Sequence, residues 1–338
     1  MRLLLLTITL LLINSSIFAQ GCCSGGASSP IAGGAATGVL QENQMEISLN
    51  HQFNQSNKFF NEHKEATPLF SDLSSDYLFF RTDYGVSNKL TLSIASGYFL
   101  NKLLTDTSKH FNYSSSGLGD IIIFPRYSIY NKTANFKRTE VALGLGAKIP
   151  LGIHNDSSLT DLANAWAPGY PPKDALELNP PTVQTTSGSN DLMFYLFFFR
   201  EYQKKKLRIF MTALHVNKGY NPSGIKFGNY TSVGLFVSKT FFYRWGVTGQ
   251  IKAENIGQIK TADNVGSYNI DPKSTGSKKW FFIPQLSYSQ NGITVFATSE
   301  VPLYQYLNGT QVGSQHQFTV GVNYRFLTKE CADLPPLN

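Results

Sequence analysis

The stretch Gln315-His-Gln-Phe-Thr-Val-Gly-Val-Asn-Tyr-Arg-Phe326 decides the fold. Its even positions, Phe318, Val320, Val322, Tyr324 and Phe326, are apolar, and its odd ones, Gln317, Thr319, Gly321, Asn323 and Arg325, are small or polar. A period of two residues belongs to an extended strand with one face toward an apolar medium and the other toward a polar one. In a soluble sandwich the apolar face packs on a core. In an outer-membrane barrel it lies against lipid, aromatic residues gather at the interfaces, and the polar face lines the lumen. The rest of the chain chooses between these media.

Met1 to about Ala19 reads as a secretory signal: Arg2 gives the positive end, Leu3–Ile13 the apolar run, and Ile17-Phe18-Ala19 a small-residue cleavage site before Gln20. The run is too short for a spanning helix, which argues against an N-terminal anchor, and Gln20-Gly21 before Cys22 fits a lipobox poorly. No later stretch approaches the ~20 apolar residues of a membrane helix. The sequence is nevertheless 42% hydrophobic and 13% aromatic with only 15% charged residues, which suits a large barrel better than two soluble domains. The formal charge of +7 is spread along the chain, and export excludes nucleic acid as a partner. Cys22, Cys23 and Cys331 lie at the two ends; Cys331 paired with either of the others leaves one thiol over.

Residues 20–43 form a Gly/Ala/Ser-rich arm, read either as a plug folded into a lumen or as a disordered tail. Alternating segments then follow at Met45–Phe53, Asp76–Val86, Leu90–Asn101, Gly117–Tyr130, Arg138–Pro150, Asn190–Arg200, Leu207–Asn217, Phe227–Thr240, Arg244–Glu254, Lys279–Ser289, Gly292–Pro302 and the opening stretch. Tight connections such as Ser87-Asn88, Lys204-Lys205-Lys206 and Gln290-Asn291 alternate with long ones at Lys102–Ser116, Leu151–Gly188, Gly257–Ser277 and Leu303–Gly313. About twelve strands of roughly 10 to 14 residues, with short and long loops in strict alternation, predict an all-β fold, a transmembrane antiparallel up-and-down β-barrel over 44–326, with a periplasmic tail at 327–338. Greek-key crossings would break that asymmetry in a sandwich.

Parity then assigns faces. Met45, Ile47, Leu49, Leu90, Leu92, Ile94, Val141, Leu143, Leu145, Val233, Leu235, Val237, Trp280, Phe282, Leu286, Tyr288, Phe318, Val320 and Val322 point outward. Glu46, Arg81, Asp83, Asp120, Arg126, Glu140, Lys148, Lys252, Glu254, Glu300 and Arg325 point inward, since a basic residue on the lipid face at the midplane costs ~2–4 kcal/mol. The segments Asn190–Arg200 and Leu207–Asn217 are apolar on both faces and leave their parity open. Arg81, Asp83, Asp120, Arg126, Glu140, Lys148, Asp191 and Glu300 are read either as a charged constriction that selects solutes or as a satisfied network filling a narrow barrel. Asp120 and Arg126 are expected to pair with others of this group across the lumen. Inward Phe124, Phe281 and Phe296 offer an apolar track or plain packing. Pro125 and Pro284 remove ladder donors and predict a bulge or a break in pairing.

The ending Tyr324-x-Phe326 resembles the closing strand of bacterial outer-membrane barrels. Gly117-Leu-Gly-Asp120 before Arg126-Tyr127, Gly188-Ser-Asn-Asp191, and Pro302-Leu-Tyr-Gln-Tyr-Leu-Asn-Gly-Thr-Gln311 before Val320-Gly-Val-x-Tyr-x-Phe326 together resemble the outer-membrane transporter family associated with meta-pathway phenol degradation. That family is similar in idea to the fatty-acid channels for hydrophobic compounds. The resemblance spans roughly residues 40–326; the Cys22-Cys23 arm and the Cys331 tail depart from it. It implies a passive channel for small hydrophobic or aromatic solutes in the outer membrane, with lipid and the barrel-assembly machinery as partners, no cofactor and no catalytic residues. Solute access is expected at loops Leu151–Gly188 and Gly257–Ser277. The competing reading is a structural or metal-linked barrel using Cys22, Cys23 and Cys331 without transport; adjacent cysteines lack the spacer of zinc sites. Barrel lipases and proteases need His–Ser or Asp/His pairs, for which His154 with Asp156 is the only local candidate.

Overall fold

A computed structural model of the chain describes residues 38–106, 111–159, 176–261 and 271–329. The expected signal segment, Cys22, Cys23, Cys331 and all but the end of the arm lie outside them. The wall consists of β1 (Gln44–Ser56), β2 (Asp72–Ser87), β3 (Leu90–Asp106), β4 (Phe111–Ala134), β5 (Lys137–Pro150), β6 (Asp191–Tyr202), β7 (Leu207–Asn217), β8 (Tyr230–Phe241), β9 (Trp245–Ile256), β10 (Ser277–Gln290), β11 (Ile293–Val312) and β12 (His316–Leu327). Each pairs antiparallel with its sequence neighbours, and β12 pairs with β1 in continuous register from Gln44 opposite Leu327 to Gln55 opposite His316. The sheet is therefore closed, as a lipid-facing sheet must be if no backbone N–H or C=O is to be left unpaired in hydrocarbon.

The turns at one end are short for a local reason. Asn135-Phe136 and Asn291-Gly292 have positive φ at both residues, the type I′ geometry whose twist matches that of the flanking strands. The second turn falls one residue later than the expected Gln290-Asn291, because only Gly292 tolerates its φ of +79° without strain. By the usual asymmetry of such barrels this short-turn end, which also holds both ends of the closing pair, is periplasmic.

At the other end the strands run further than the alternation suggested. β3 and β4 extend to Asp106 and from Phe111, and β11 to Val312, so most of the expected loops Lys102–Ser116 and Leu303–Gly313 is strand. The misreading has a physical cause. Register shifts between Ser96 and Tyr98 and between Phe99 and Lys102 flip the phase, so Phe99 and Lys102 both face inward although their parities differ. A bulge erases a period-two signal without ending the strand. Beyond the wall, Phe59–Glu62 adds to the upper part of β11 and pairs with Lys64–Ala66. A small cluster of Phe59, Phe70, Leu73, Leu104, Tyr113, Val183 and Val312 ties these upper parts together.

The faces fall as parity placed them. Leu49, Leu92, Ile94, Leu143, Leu145, Val233, Leu235, Val237, Trp280, Phe282, Leu286, Phe318, Val320 and Val322 are exposed around the outside, while Glu46, Arg81, Asp83, Arg126, Glu140, Lys148 and Glu254 are buried inside. The open parity of β6 and β7 resolves with Met193, Tyr195, Phe197, Phe210 and Leu214 inward and Leu192 and Phe194 outward. Pro125 and Pro284 both face out. Between β4 and β5 the pairing skips from Ile123–Ala147 to Arg126–Gly144, and between β10 and β11 from Phe282–Val301 to Gln285–Thr298. Each proline thus sits at a short break in one ladder.

Inside, glycines make room for rings. A methyl on Gly144 or Gly146 would come within 2.7 Å of the Phe124 ring, and one on Gly97 within 1.9 Å of the Tyr77 hydroxyl. Aromatic rings laid across glycines of the next strand fill a lumen too narrow for side chains at every inward position.

Two outcomes follow from this packing. Val320→Arg in β12 is expected to lower stability in lipid vesicles by about 2–4 kcal/mol, read from the urea midpoint, while Val320→Leu leaves it nearly unchanged. Equal midpoints for the two would place this face outside the bilayer. Gly146→Val should displace Phe124 and cost about 1–3 kcal/mol, visible as a lower temperature at which the unboiled protein loses its compact gel mobility.

Candidate functional site: the lumen

A layer of rings crosses the middle of the barrel from β2 to β8. Tyr77 and Phe99 lie 4.4 Å apart between centroids, Phe124 meets Tyr195 edge-on at 5.4 Å, Tyr195 stacks above Phe197 at 6.5 Å, and Phe210 stacks on Phe236 at 4.3 Å. With Phe79, Ile122, Met193 and Leu214 they form one apolar cluster. Only Phe124 of these rings was singled out in the sequence, because β6 and β7 are apolar on both faces and hide which rings point in. Phe281 and Phe296, also expected as track, are buried on the opposite side of the lumen.

Below the rings a charged group spans β1, β2, β4 and β12. Arg81 bridges Asp83 at 2.9 Å and Glu46 at 3.3 Å, Arg126 reaches Asp83 at 2.8 Å, and Arg325 donates through Nε to Glu46 at 2.7 Å. The end of the N-terminal arm is seated on this group. Arg126 donates to the Gly38 carbonyl at 3.0 Å, the Val39 amide donates to Glu140 at 2.8 Å, and the Leu40 amide donates to Thr91 Oγ at 2.8 Å. Glu140 is held from its other oxygen by Arg138 at 2.7 Å. A methyl on Gly38 would fall 2.2 Å from Glu140 and 2.8 Å from Phe197, so the residue must be glycine for the chain to lie this close. Val39 packs against the ring layer and Leu40 is buried.

Above the rings lies a second charged group. Lys148 pairs with Asp120 at 2.6 Å and Asp191 at 3.0 Å, and Lys218 approaches Asp191 at 3.9 Å. The segment Asn179–Asn190 folds down onto it. Thr186 donates to Asp120, Ser189 donates to Asp191 at 2.8 Å, and the Gln184 carbonyl accepts from Lys102 at 2.7 Å. Gln184 also donates to the carbonyls of Asp156 and Asn179, both at 2.9 Å, which fixes the segment across the lumen. The upper end of the expected access loop Leu151–Gly188 is therefore a cover here. Asp156 accepts from Ser115 at 2.9 Å and from the Ser157 amide at 3.0 Å, so its carboxylate is engaged in holding this loop.

Asp120 and Arg126 each pair within the expected group, Asp120 with Lys148 and Arg126 with Asp83, but in different places. Six residues along one strand separate them by about 20 Å, which places one above the rings and the other below. Glu300 belongs to neither group: it pairs with Lys252 at 2.8 Å, beside Glu254 at 3.6 Å from the same ammonium, and the Tyr230 hydroxyl donates to Glu254 at 3.3 Å. The candidate residues thus form three local networks, two of them stacked on either side of an aromatic layer. Lys102, Lys218 and Gln184 carried no signal in the sequence, since bulges and a long loop bring them into place.

Two spaces remain. One of about 750 Å³ occupies the periplasmic mouth, bounded by the arm, Glu140, Phe199, Phe210, Thr248, Phe296 and Arg325. The other, about 130 Å³, lies between the Pro181–Ser187 segment and the upper wall. Among the described residues no group of His, Cys, Asp and Glu is arranged to hold a metal, and the metal-linked reading gains no support from them.

No family model matches the chain, and no curated protein does. Among solved structures, the COG4313 outer membrane channel from Pseudomonas putida F1 aligns with a TM-score of 0.65 at 8% identity, over 87% of this chain and 99% of that one. The NanC porin aligns more loosely, with a TM-score of 0.43 at 12% identity over 82% and 98% of the two chains. The KdgM porin gives 0.40 at 11% identity over 83% and 99%. At such identities the likeness is one of fold. Together with the closed sheet and its apolar outer band, it makes the chain a twelve-stranded β-barrel of the bacterial outer membrane.

Proposed function

We propose that the chain is a passive outer-membrane channel for small hydrophobic or aromatic solutes, the kind suggested by the resemblance of its motifs to those of the phenol meta-pathway transporters. The observation that carries this reading is the ring layer at mid-lumen: a polar porin has no use for Tyr77, Phe99, Phe124, Tyr195, Phe197, Phe210 and Phe236 across its path. Aromatic surfaces offer favourable contacts of about 0.5–1.5 kcal/mol per ring pair to a passing ring, weak enough to be released. The charged groups above and below keep the polar interior satisfied and the rings in place. The arm end at Gly38–Leu40 and the segment Asn179–Asn190 act as the lower and upper stoppers.

The test is uptake of a radiolabelled phenol by cells whose lipopolysaccharide-covered membrane is otherwise a poor path for it. Cells carrying the barrel should take up phenol faster than cells without it, and deletion of residues 21–40 should raise the rate several-fold and create a measurable conductance in planar bilayers. If neither the intact nor the shortened barrel admits phenol faster than the control, the channel reading is lost.

A further inference from the structure

The short-turn edge of the barrel carries a charge that neither the lumen nor the wall uses. Residues 131–138, 200–208 and 238–246, which hold the turns between β4 and β5, β6 and β7, and β8 and β9, contain six lysines and four arginines against a single carboxylate, Glu201. Glu201 is taken by Arg208 at 2.9 Å, and Arg138 by Glu140 at 2.7 Å. Lys132, Lys137, Lys204, Lys205, Lys206 and Lys239 form no ion pair among the described residues, and all but Lys206 are exposed. The three turns make one continuous edge, since the Gln203 amide donates to the Phe136 carbonyl at 3.0 Å and the Thr240 amide to the Lys206 carbonyl at 3.1 Å. The other two turns, at 87–89 and 290–292, hold Lys89 alone. The positive charge is thus gathered on one side of the rim.

Aromatic rings stand among these lysines in an unfavourable backbone setting. Phe136, Phe242 and Tyr243 have φ of +59°, +47° and +62°, a region that suits Gly and Asn and is costly for bulky L residues. Their rings are nevertheless 58%, 86% and 83% exposed, so burial within the chain does not offset the strain. Strain kept without a local gain points to a function outside the chain. Lys204 lies 4.3 Å from the centroid of Phe136 and Lys206 3.2 Å from that of Tyr243, which groups ring and ammonium in pairs. Just behind the tips, Phe241 and Trp245 face outward and continue the lipid-facing band. We propose that this sector of the rim docks on anionic phospholipid head groups in the periplasmic leaflet of the outer membrane. The rings lie where acyl chains meet head groups, and the ammonium groups reach the phosphodiester oxygens. A zwitterionic head group brings its own cation beside the phosphate and leaves little net attraction. An anionic glycerol head group brings none.

The test uses the full chain folded in detergent micelles with equal amounts of dioleoylphosphatidylglycerol and dioleoylphosphatidylcholine, and native mass spectrometry to read which lipid is retained. Phosphatidylglycerol should be retained about fivefold or more over phosphatidylcholine, the factor that one lysine near an anionic surface supplies. Lys204→Gln, Lys205→Gln and Lys206→Gln together should bring the two lipids within about twofold of each other, whereas the same three changed to Arg should keep the preference. Phe242→Asn with Tyr243→Gly is the second variant, and it keeps the test informative if the lysine variant does not fold. Relief of the strained turn should raise the temperature at which the compact gel mobility is lost, while retention of phosphatidylglycerol falls. Equal retention of the two lipids by the intact protein overturns the proposal, as does a preference that both variants leave untouched. Co-sedimentation with purified peptidoglycan sacculi, lost in the lysine variant while neither lipid is preferred, would make the edge a cell-wall contact and overturn it as well.

Discussion

Everything in this molecule depends on the pairing of β12 with β1. Hydrocarbon offers no partner for a backbone N–H or C=O, so a sheet in the bilayer must close or not form. Closure with twelve strands fixes the circumference, and the circumference fixes what fits inside. The lumen is narrow enough for side chains from opposite walls to share it, and that leaves a choice between filling it with polar networks and filling it with rings. This chain does both, in layers: charges at the level of Glu46, Arg81, Asp83 and Arg126, rings at the level of Tyr77, Phe124 and Tyr195, and charges again at Asp120, Lys148 and Asp191.

The layering is a solution to an electrostatic problem. A charge in a lumen walled by lipid cannot lean on bulk water, so the carboxylates of Glu46, Asp83, Asp120, Glu140, Asp191, Glu254 and Glu300 each lie beside a basic side chain from the same strand or a nearby one. The bridge from Arg126 on β4 to Asp83 on β2 passes over Ser93 of the intervening β3, which bonds both, and so closes along one stretch of wall with no partner on the far side. Networks of this kind leave the centre of the lumen to whatever is not charged. The rings occupy it.

How much of this could be read from the sequence follows from the same geometry. Parity carries well where a strand faces lipid on one side and charge on the other, which is why the closing strand and the faces of β1, β5 and β8 are legible. It fails in three places. In β6, Phe194, Tyr195, Phe197 and Phe198 are apolar in both directions, and only the register Phe194–Leu145 against β5 shows which side each takes. In β3, two register shifts put Phe99 and Lys102 on one face, and no pattern of period two survives them. In the segment Asn179–Asn190, prolines and threonines read as loop, and nothing local says that the loop turns inward. The charged candidates other than Asp191 were legible as inward; their heights were not, because height depends on strand tilt and stagger, which side-chain alternation does not encode.

The arm end and the covering segment differ from the wall in what holds them. A wall strand is fixed by a hydrogen-bond ladder on both edges, and removing it would leave a dozen backbone groups unpaired. Gly38–Leu40 is fixed by three hydrogen bonds, from Arg126, to Glu140 and to Thr91, together with the packing of Val39 and Leu40. Net contributions of about 1.5–3 kcal/mol for each bond to a charged group and about 1 kcal/mol for the neutral one come to about 4–7 kcal/mol. Ordering the backbone costs about 1–2 kcal/mol per residue, which offsets much of that sum. Release leaves Arg126 and Glu140 with Asp83 and Arg138 respectively, so neither charge is stranded when the arm departs. Departure of Gly38–Leu40 would therefore break no strand pairing. The upper cover is held at more points, through Gln184, Thr186 and Ser189 and the buried Val183, than the described residues Gly38–Leu40.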